Sequence, residues 1–136
     1  MSERTIKTLK KVQQNGVRIA LATGRPTYGV LPYAKAIDLD FNDGFIISYN
    51  GAKVLEASTG KGLFERTIDP KMVPYLEKQA QRGGCALAFY ENDEVVATDI
   101  HNPHIVDEAQ MNNMALRQVD SISEALEGLG DDQQTW

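Results

Sequence analysis

Val17-Arg-Ile-Ala-Leu-Ala-Thr-Gly-Arg-Pro26 is the stretch of the sequence from which the fold can be inferred first. An apolar run without alternation is typical of a parallel β-strand that is covered on both faces. Pro26 suits the first turn of a following helix, where its missing N–H would have no partner. The stretch therefore predicts a buried strand over residues 17–22 that passes directly into a helix.

The junction between this strand and the helix carries residues suited to a phosphoryl group. Thr23 offers a hydroxyl, Gly24 lets the backbone come close, and the guanidinium fork of Arg25 matches phosphoryl oxygens. The start of the following helix adds backbone N–H groups that have no partner within the helix. These residues predict a phosphate cradle, and an ordinary strand-to-helix turn is the alternative interpretation.

Helical and extended segments alternate over the first fifty residues. Apolar side chains about one turn apart predict a helix over residues 3–15, which Asn15-Gly16 ends. A second helical stripe follows Pro26 and is interrupted by Pro32, and residues 45–49 form a second apolar strand. This alternation predicts an α/β fold with a parallel sheet.

The second strand also ends in a small polar turn, Asn50-Gly51. Ligands of parallel α/β sheets bind at the carboxyl ends of the strands. Thr23–Arg25 and Asn50–Gly51 both occupy such ends, so we expect the two turns to lie side by side. This shared position favours the phosphate cradle over an ordinary turn.

The sequence after Gly51 predicts a second segment of mixed strands and helices. Its strand from Cys85 would bury the thiol, and a helix would begin near Asn102. The final residues, 128–136, are predicted to form a poorly ordered tail. The other predicted segments are a hairpin over 52–56 and 62–67, a helix over 69–84, strands over 85–90, 94–98 and 116–119, and a helix over 125–127.

Composition and charge bear on several classes of function. The 136 residues carry a net charge of −5 and a pI near 5.0, which disfavours a nucleic-acid partner because the phosphate backbone attracts a basic surface. No apolar run approaches the roughly 18 residues that a membrane span requires. A single cysteine cannot form an internal disulfide and fits a reducing compartment. We therefore expect a cytoplasmic protein without membrane contact.

His101 and His104 are the two histidines of the chain and lie three residues apart. A metal site needs further ligands, and the sequence offers no third histidine or neighbouring cysteine. Asn102 and Pro103 instead suit the cap and the first residue of a helix. We predict a capped helix here and no metal ligand.

Two motifs carry a resemblance to a known family. Ala22-Thr-Gly-Arg-Pro26 follows one apolar strand, and Ile47-Ser-Tyr-Asn-Gly-Ala52 ends the next, before a hairpin and an α/β segment. Over about residues 3–126 this order closely resembles the Cof-type haloacid dehalogenase-like phosphatases, subfamily IIB of the HAD superfamily. The resemblance implies a partial Rossmann-like core over residues 1–51 and an inserted α/β (α+β) cap domain over residues 52–127.

The resemblance also implies a chemistry. The family comprises Mg2+-dependent phosphatases of small phosphorylated metabolites, often sugar phosphates, which act through an aspartyl-phosphate intermediate. Thr23 matches the family's second motif, whose hydroxyl hydrogen-bonds the transferring phosphoryl group, and is the catalytic candidate. Arg25, Asn50 and Gly51 match positions that line the same cleft, and with Gly24 they are the substrate-binding candidates.

The sequence departs from the family in its other motifs. The first motif, a strand ending in Asp-x-Asp, and the later lysine and metal motifs have no match, so we expect the Mg2+ ligands to lie outside this chain and the chain alone to be inactive. Ile37-Asp-Leu-Asp40 has the aspartate spacing of the first motif. Because Asp38 follows a helical stripe and comes after Thr23 instead of before it, we interpret these acids as loop residues.

The missing first motif also removes a strand beside residues 17–22. The core sheet is then predicted to have two strands, which is marginal, and an unpaired edge. Two outcomes are open: a stable cap with a loosely held core, or a homo-oligomer that pairs the exposed strand between copies.

The sequence is compatible with three classes of function. The chain represents part of a phosphatase, or it is a non-catalytic module that binds a phosphorylated ligand or a partner through Thr23–Arg25 and the cap. A scaffold domain with neither activity is the third.

Overall fold

A computed structural model describes residues 1–127, which form two compact units. The first unit ends at Arg66 and the second begins at Thr67. The sequence predicted a division after Gly51, and the observed one falls later because the hairpin that follows Gly51 pairs with the sheet of unit 1. That the second unit is a cap stays a prediction.

Unit 1 combines two α-helices with a sheet of order β1-β2-β3-β4. Strands β1 and β2 are parallel, whereas β2 with β3 and β3 with β4 are antiparallel. The sheet therefore has four strands instead of the predicted two, and β1 forms one edge. The elements are α1 Glu3–Gln14, β1 Ala20–Ala22, α2 Thr27–Ala36, β2 Phe45–Ser48, β3 Lys53–Glu56 and β4 Gly62–Glu65.

Helix α1 confirms the first predicted helix. Ser2 Oγ accepts the Thr5 N–H at 3.2 Å, which satisfies one of the free donors of the first turn. Gly16 follows the helix at a φ of 81°, a conformation that glycine adopts without strain. The buried Gln13 donates from Nε2 to the carbonyl of Ile37 at 2.7 Å, which ties α1 to the end of α2.

The core of unit 1 lies on one face of its sheet. Both α1 and α2 pack on the face that carries Leu21, Ile46 and Leu55. Ala20 and Ala22 alternate to the other face and are exposed. The prediction of a strand covered on both faces is therefore wrong within residues 1–127, because both helices share one face. The strand also begins later than predicted.

Unit 2 has a sheet of order β5-β6-β7 with helices on both faces. Helices α3 and α5 pack with Phe89 and Val96, whereas α4 packs with Val95 and Ala97 on the opposite face. Strands β5 and β6 are antiparallel. Strands β6 and β7 are parallel, and α4 connects them along the chain. The elements are α3 Val73–Gly83, β5 Ala88–Glu91, β6 Glu94–Ala97, α4 Pro103–Asn112, β7 Ala115–Gln118 and α5 Ile122–Glu127.

The predicted strand from Cys85 with a buried thiol is wrong. Strand β5 begins at Ala88, and Cys85 is exposed. Gly84 takes a left-handed conformation at φ 62°, and the Cys85 N–H donates to the Ala80 carbonyl at 2.9 Å. Cys85 is thus part of the hydrogen-bonded end of α3.

The overall architecture confirms the predicted α/β fold class. No helix in the part of the chain that the structure describes is long and apolar enough to cross a membrane. The predicted tail, 128–136, lies outside the described residues.

Candidate functional site

The two predicted turns meet at the carboxyl ends of β1 and β2 in the unit 1 sheet. Because β1 and β2 are parallel neighbours, their carboxyl ends lie side by side. The Thr23 N–H donates to the Ile47 carbonyl at 2.9 Å, and the Asn50 N–H donates to the Thr23 carbonyl at 3.1 Å. A third bond joins the Tyr49 N–H to the Arg25 carbonyl at 3.0 Å. The backbone therefore fixes both turns against each other without a ligand.

The hydroxyl of Thr23 is oriented by its own turn. The Arg25 N–H donates to Thr23 Oγ1 at 3.1 Å, and Thr23 is half-buried. A hydroxyl carries one donor and two acceptor positions, so accepting this bond leaves its hydrogen to donate elsewhere. Within residues 1–127 the Thr23 hydroxyl donates no hydrogen bond to a protein acceptor. The group can donate to an anionic oxygen placed at this edge of the sheet.

Gly24 and Asn50 are in direct contact. A Cβ added to Gly24 would lie 2.9 Å from Oδ1 and 3.3 Å from Nδ2 of Asn50, which is closer than such contacts normally come. Asn50 is left-handed at φ 55°, and Gly51 follows at φ 97°. The absence of a side chain at Gly24 thus gives the Asn50 amide its place beside the Thr23 turn.

The Arg25 side chain is placed by helix α2. Its Cζ lies 5.9 Å from the centroid of the Tyr33 ring, a distance at which a guanidinium is attracted to an aromatic face. Sequence reasoning did not identify Tyr33, which lies eight positions after Arg25 within a segment predicted to be helical. The Tyr33 ring thus attracts the Arg25 guanidinium toward α2.

A set of three hydroxyl side chains, which we call the hydroxyl network, consists of Thr27, Ser48 and Tyr49. Thr27 Oγ1 and Ser48 Oγ lie 2.9 Å apart, and Ser48 is fully buried. The Thr27 N–H and hydroxyl also hydrogen-bond to the Tyr49 phenol. Sequence reasoning missed these residues. The available signal was their position, because Thr27 comes shortly after the Thr23 turn and Ser48 and Tyr49 come directly before Asn50.

Tyr49 has a perturbed phenol. Burial raises its pKa above 10.0, the two hydrogen bonds from Thr27 act in the opposite direction, and the negative charge of Glu65 adds to the rise. The phenol therefore stays protonated at neutral pH. Tyr49 itself is left-handed at φ 51°, which is uncommon for a bulky residue.

Asp38 and Asp40 lie far from the Thr23 turn. They precede β2, whereas the site is at the carboxyl end of the same strand, whose four residues span about 13 Å at 3.3 Å per residue. Asp38 Oδ2 is 2.7 Å from Lys10 Nζ, and Asp40 is exposed. This placement fits their interpretation as loop acids.

Residues 1–127 contain no group of three or more His, Cys, Asp or Glu side chains that could hold a metal ion. His101 and His104 are both exposed, and Asn102 Oδ1 accepts the His104 N–H at 3.0 Å, which confirms the predicted cap of α4. The described donors thus do not fit a magnesium site.

Comparison with known proteins identifies the family. The profile of the haloacid dehalogenase-like hydrolases matches residues 1–128. The chain belongs to this family. A solved haloacid dehalogenase-like hydrolase from Bacteroides thetaiotaomicron is similar to this HAD-like chain at a TM-score of 0.83 and 32% identity, over 88% of this chain and 45% of the other.

Two further relatives extend the comparison. A structure described as a HAD subclass IIB sugar phosphatase shares the fold at a TM-score of 0.68 and 17% identity, over 95% of this chain and 48% of that one. A Haemophilus influenzae protein named "Putative phosphatase" is 21% identical over 90% of this chain and 46% of its own length. The HAD-like chain thus spans less than half the length of these relatives, and the resemblance to the haloacid dehalogenase-like family is confirmed.

Proposed function

We propose that this HAD-like chain belongs to a phosphatase of small phosphorylated metabolites, with sugar phosphates as the substrate class. The single observation that carries the proposal is the Thr23 hydroxyl. It accepts the Arg25 N–H, keeps its hydrogen to donate, and lies at the joined carboxyl ends of β1 and β2. Such a donor suits a phosphoryl oxygen. Sugar phosphates are proposed because one structural relative is described as a sugar phosphatase.

The other predicted residues have roles that fit a phosphoryl group. The Arg25 guanidinium supplies positive charge, and the Asn50 amide supplies a second polar contact that Gly24 leaves room for. Gly51 allows the chain to turn at φ 97° beside them. Catalysis of phosphoryl transfer is mainly positioning and charge stabilisation. These residues provide positioning.

The proposal includes several points that the family resemblance alone supplies. Unit 2 acts as the cap, the activity uses an aspartyl-phosphate intermediate and Mg2+, and the protein works in the cytoplasm. The residues described here do not fit the metal, so the chain by itself is expected to be inactive. Self-association through the edge of β1 is also proposed, and sedimentation velocity would detect it as a species larger than 15.0 kDa.

Phosphate binding tests the site. We expect inorganic phosphate to shift the amide NMR signals of Thr23–Arg25 and Asn50, and Thr23→Val to weaken binding about tenfold, as loss of a hydrogen bond to a charged group would. The matched control is Thr98→Val, which removes an exposed threonine hydroxyl in unit 2. Equal affinity of wild type and Thr23→Val would overturn the assignment of Thr23.

Phosphate release tests the enzymatic part. Small phosphate esters are incubated with the folded chain, with and without Mg2+, and with its Thr23→Ala and Asp38→Asn variants. We expect no release by the chain alone. Mg2+-dependent release that disappears in Asp38→Asn would contradict the loop interpretation and make Asp38 and Asp40 the reacting pair.

The alternative function is a non-catalytic module that binds a phosphorylated ligand. One observation favours it: residues 1–127 join a phosphate-sized set of donors but no group that could hold a metal ion. Binding of phosphate esters without hydrolysis would support the module. Hydrolysis abolished by Thr23→Ala would support the enzyme.

A further inference from the structure

We infer that Tyr49 is a positioning residue of the Thr23 site, which it serves through the hydrogen bonds between its phenol and Thr27. The inference rests on the proposed function, since it concerns the same phosphate-binding edge of unit 1. It adds a residue that sets the place of Asn50.

Tyr49 and Asn50 form a corner of two successive left-handed residues. Their φ angles are 51° and 55°. Asparagine tolerates this conformation, but a bulky side chain on an L-residue is disfavoured there by contact with the following carbonyl. Surrounding contacts must therefore hold Tyr49 in place.

The contacts that hold Tyr49 act at both of its ends. Its backbone N–H donates to the Arg25 carbonyl at 3.0 Å, and its phenol accepts from the N–H and the hydroxyl of Thr27. Thr27 Oγ1 lies 2.9 Å from the fully buried Ser48 Oγ. The hydroxyl network thus fastens the corner to the first turn of α2.

This attachment also meets a need of α2. The residue before the helix is Pro26, which forms no side-chain cap, so the first-turn donor of Thr27 is satisfied from the neighbouring turn. The start of α2 and the corner after β2 are therefore fixed by the same phenol.

The position of Asn50 follows from that of Tyr49. With the corner in place, the Asn50 N–H reaches the Thr23 carbonyl at 3.1 Å and its amide lies against Gly24. Without the phenol, the left-handed corner loses this attachment to the first turn of α2. We expect the Asn50 amide then to leave its position beside the Thr23 turn.

The test compares Tyr49→Phe with Tyr90→Phe in the complete chain. Tyr90 is a half-buried phenol in unit 2 that donates to Glu108 Oε1 at 2.8 Å, so its variant loses a similar group elsewhere. The readouts are the NMR shifts of the Asn50 side-chain NH2 and the Gly24 N–H in the free protein, and the affinity for inorganic phosphate. Thr27→Val, with Thr27→Ser as its conservative counterpart, replaces Tyr49→Phe if that variant does not fold.

We expect Tyr49→Phe to move both signals and to weaken phosphate binding about fivefold, the effect of one hydrogen bond, while Tyr90→Phe does neither. Unchanged Asn50 and Gly24 signals would overturn the inference, even if stability falls, because a cap of α2 alone would not place Asn50. If the wild type binds no phosphate, the cradle fails, whereas movement of the Asn50 signals still supports positioning by Tyr49.

Discussion

Two polar junctions of the molecule are built from hydroxyls and backbone N–H groups. One is the Thr23 edge of unit 1, by which we mean the carboxyl ends of β1 and β2 with the turns that follow them, and the other is the start of α5 in unit 2. In unit 2 the Glu77 carboxylate accepts from the Ile122 N–H at 2.7 Å and from the Ser121 and Ser123 hydroxyls. All of these donors hydrogen-bond to one carboxylate of the same chain. At the Thr23 edge, backbone bonds join the turns and the Thr23 hydroxyl keeps its hydrogen.

The difference teaches how a polar cluster should be interpreted. A negative group at a helix start is stabilised by the free N–H groups there, whether it belongs to a ligand or to the protein. In unit 2 that position is already filled by Glu77 from α3, so the junction is structural. In unit 1 backbone bonds and the hydroxyl network hold the turns, which leaves the Thr23 hydroxyl to meet a ligand.

The largest expected effect comes from removing the Glu77 carboxylate from the unit 2 junction. Glu77→Ala removes the acceptor of the Ile122 N–H and of the two serines, so we expect unit 2 to lose about 2–3 kcal/mol of unfolding free energy, the usual cost when bonds to a charged group are lost. Urea unfolding followed by amide signals of unit 2 measures it. Glu124→Ala, which removes an exposed carboxylate on α5, is the control and should change little.

Signals of the unit 1 sheet serve as the internal reference for this experiment. A loss below about 0.5 kcal/mol in Glu77→Ala, the range of ordinary surface substitutions, would show that the junction is not structural. The contrast with the Thr23 edge would then disappear.

Local signals in the sequence were sufficient for most of the elements. The repeat of apolar residues and the caps at Asn15-Gly16 and Asn102 predicted helices that the structure contains. Ser121 caps the start of α5, with the Glu124 N–H 3.3 Å from Ser121 Oγ. Its second partner, Glu77, lies 44 residues earlier and could not be predicted from local spacing.

The same limit applies to the candidate site. The rule that ligands bind at the carboxyl ends of parallel strands was enough to bring Thr23 and Asn50 together. The contribution of Tyr49 depends on a left-handed backbone and on a partner in another element, neither of which residue type reveals. Likewise, the hairpin after Gly51 was separated from the core because strand pairing is not encoded in a single segment.

A smaller effect is the pH dependence of stability, which should differ between the two junctions. Burial raises the pKa of Glu77, but the bonds from Ser123, Ile122 and Ser121 outweigh it, so the pKa lies below 4.5. The stability this gives is present above the unfolded value and is lost as the pH falls through the folded one. The pKa of Tyr49 is raised above 10.0, mainly by burial, so its contribution is present below 10.0 and is lost as the pH rises through the folded value.

We therefore expect unit 2 to weaken in acid and unit 1 to weaken in alkali, and signals from each unit during urea unfolding at several pH values would measure this. Glu77→Gln should remove part of the acid loss, and Tyr49→Phe should remove part of the alkaline loss. If each variant left its own pH profile unchanged, the two groups would not be the source of either loss.

The smallest expected effect is in the contact between Gly24 and Asn50. A methyl group at Gly24 would lie 2.9 Å from Asn50 Oδ1, the end of a side chain that can rotate away, so Gly24→Ala should change the unfolding free energy by less than about 0.5 kcal/mol. It should nevertheless displace the Asn50 amide and weaken phosphate binding about twofold, a fraction of one hydrogen bond. Gly62→Ala, which meets no atom within 4 Å, is the matched control.

A double-mutant cycle decides whether the effect passes through Asn50. In an Asn50→Ala background Gly24→Ala should have no further effect on phosphate affinity, because the side chain that it displaces is gone. Additive effects of the two substitutions would mean that Gly24 acts through its own backbone instead. The Thr23 edge would then bind anions through its N–H groups, as the start of α5 does with Glu77, and the distinction between the two junctions would lie only in which anion fills them.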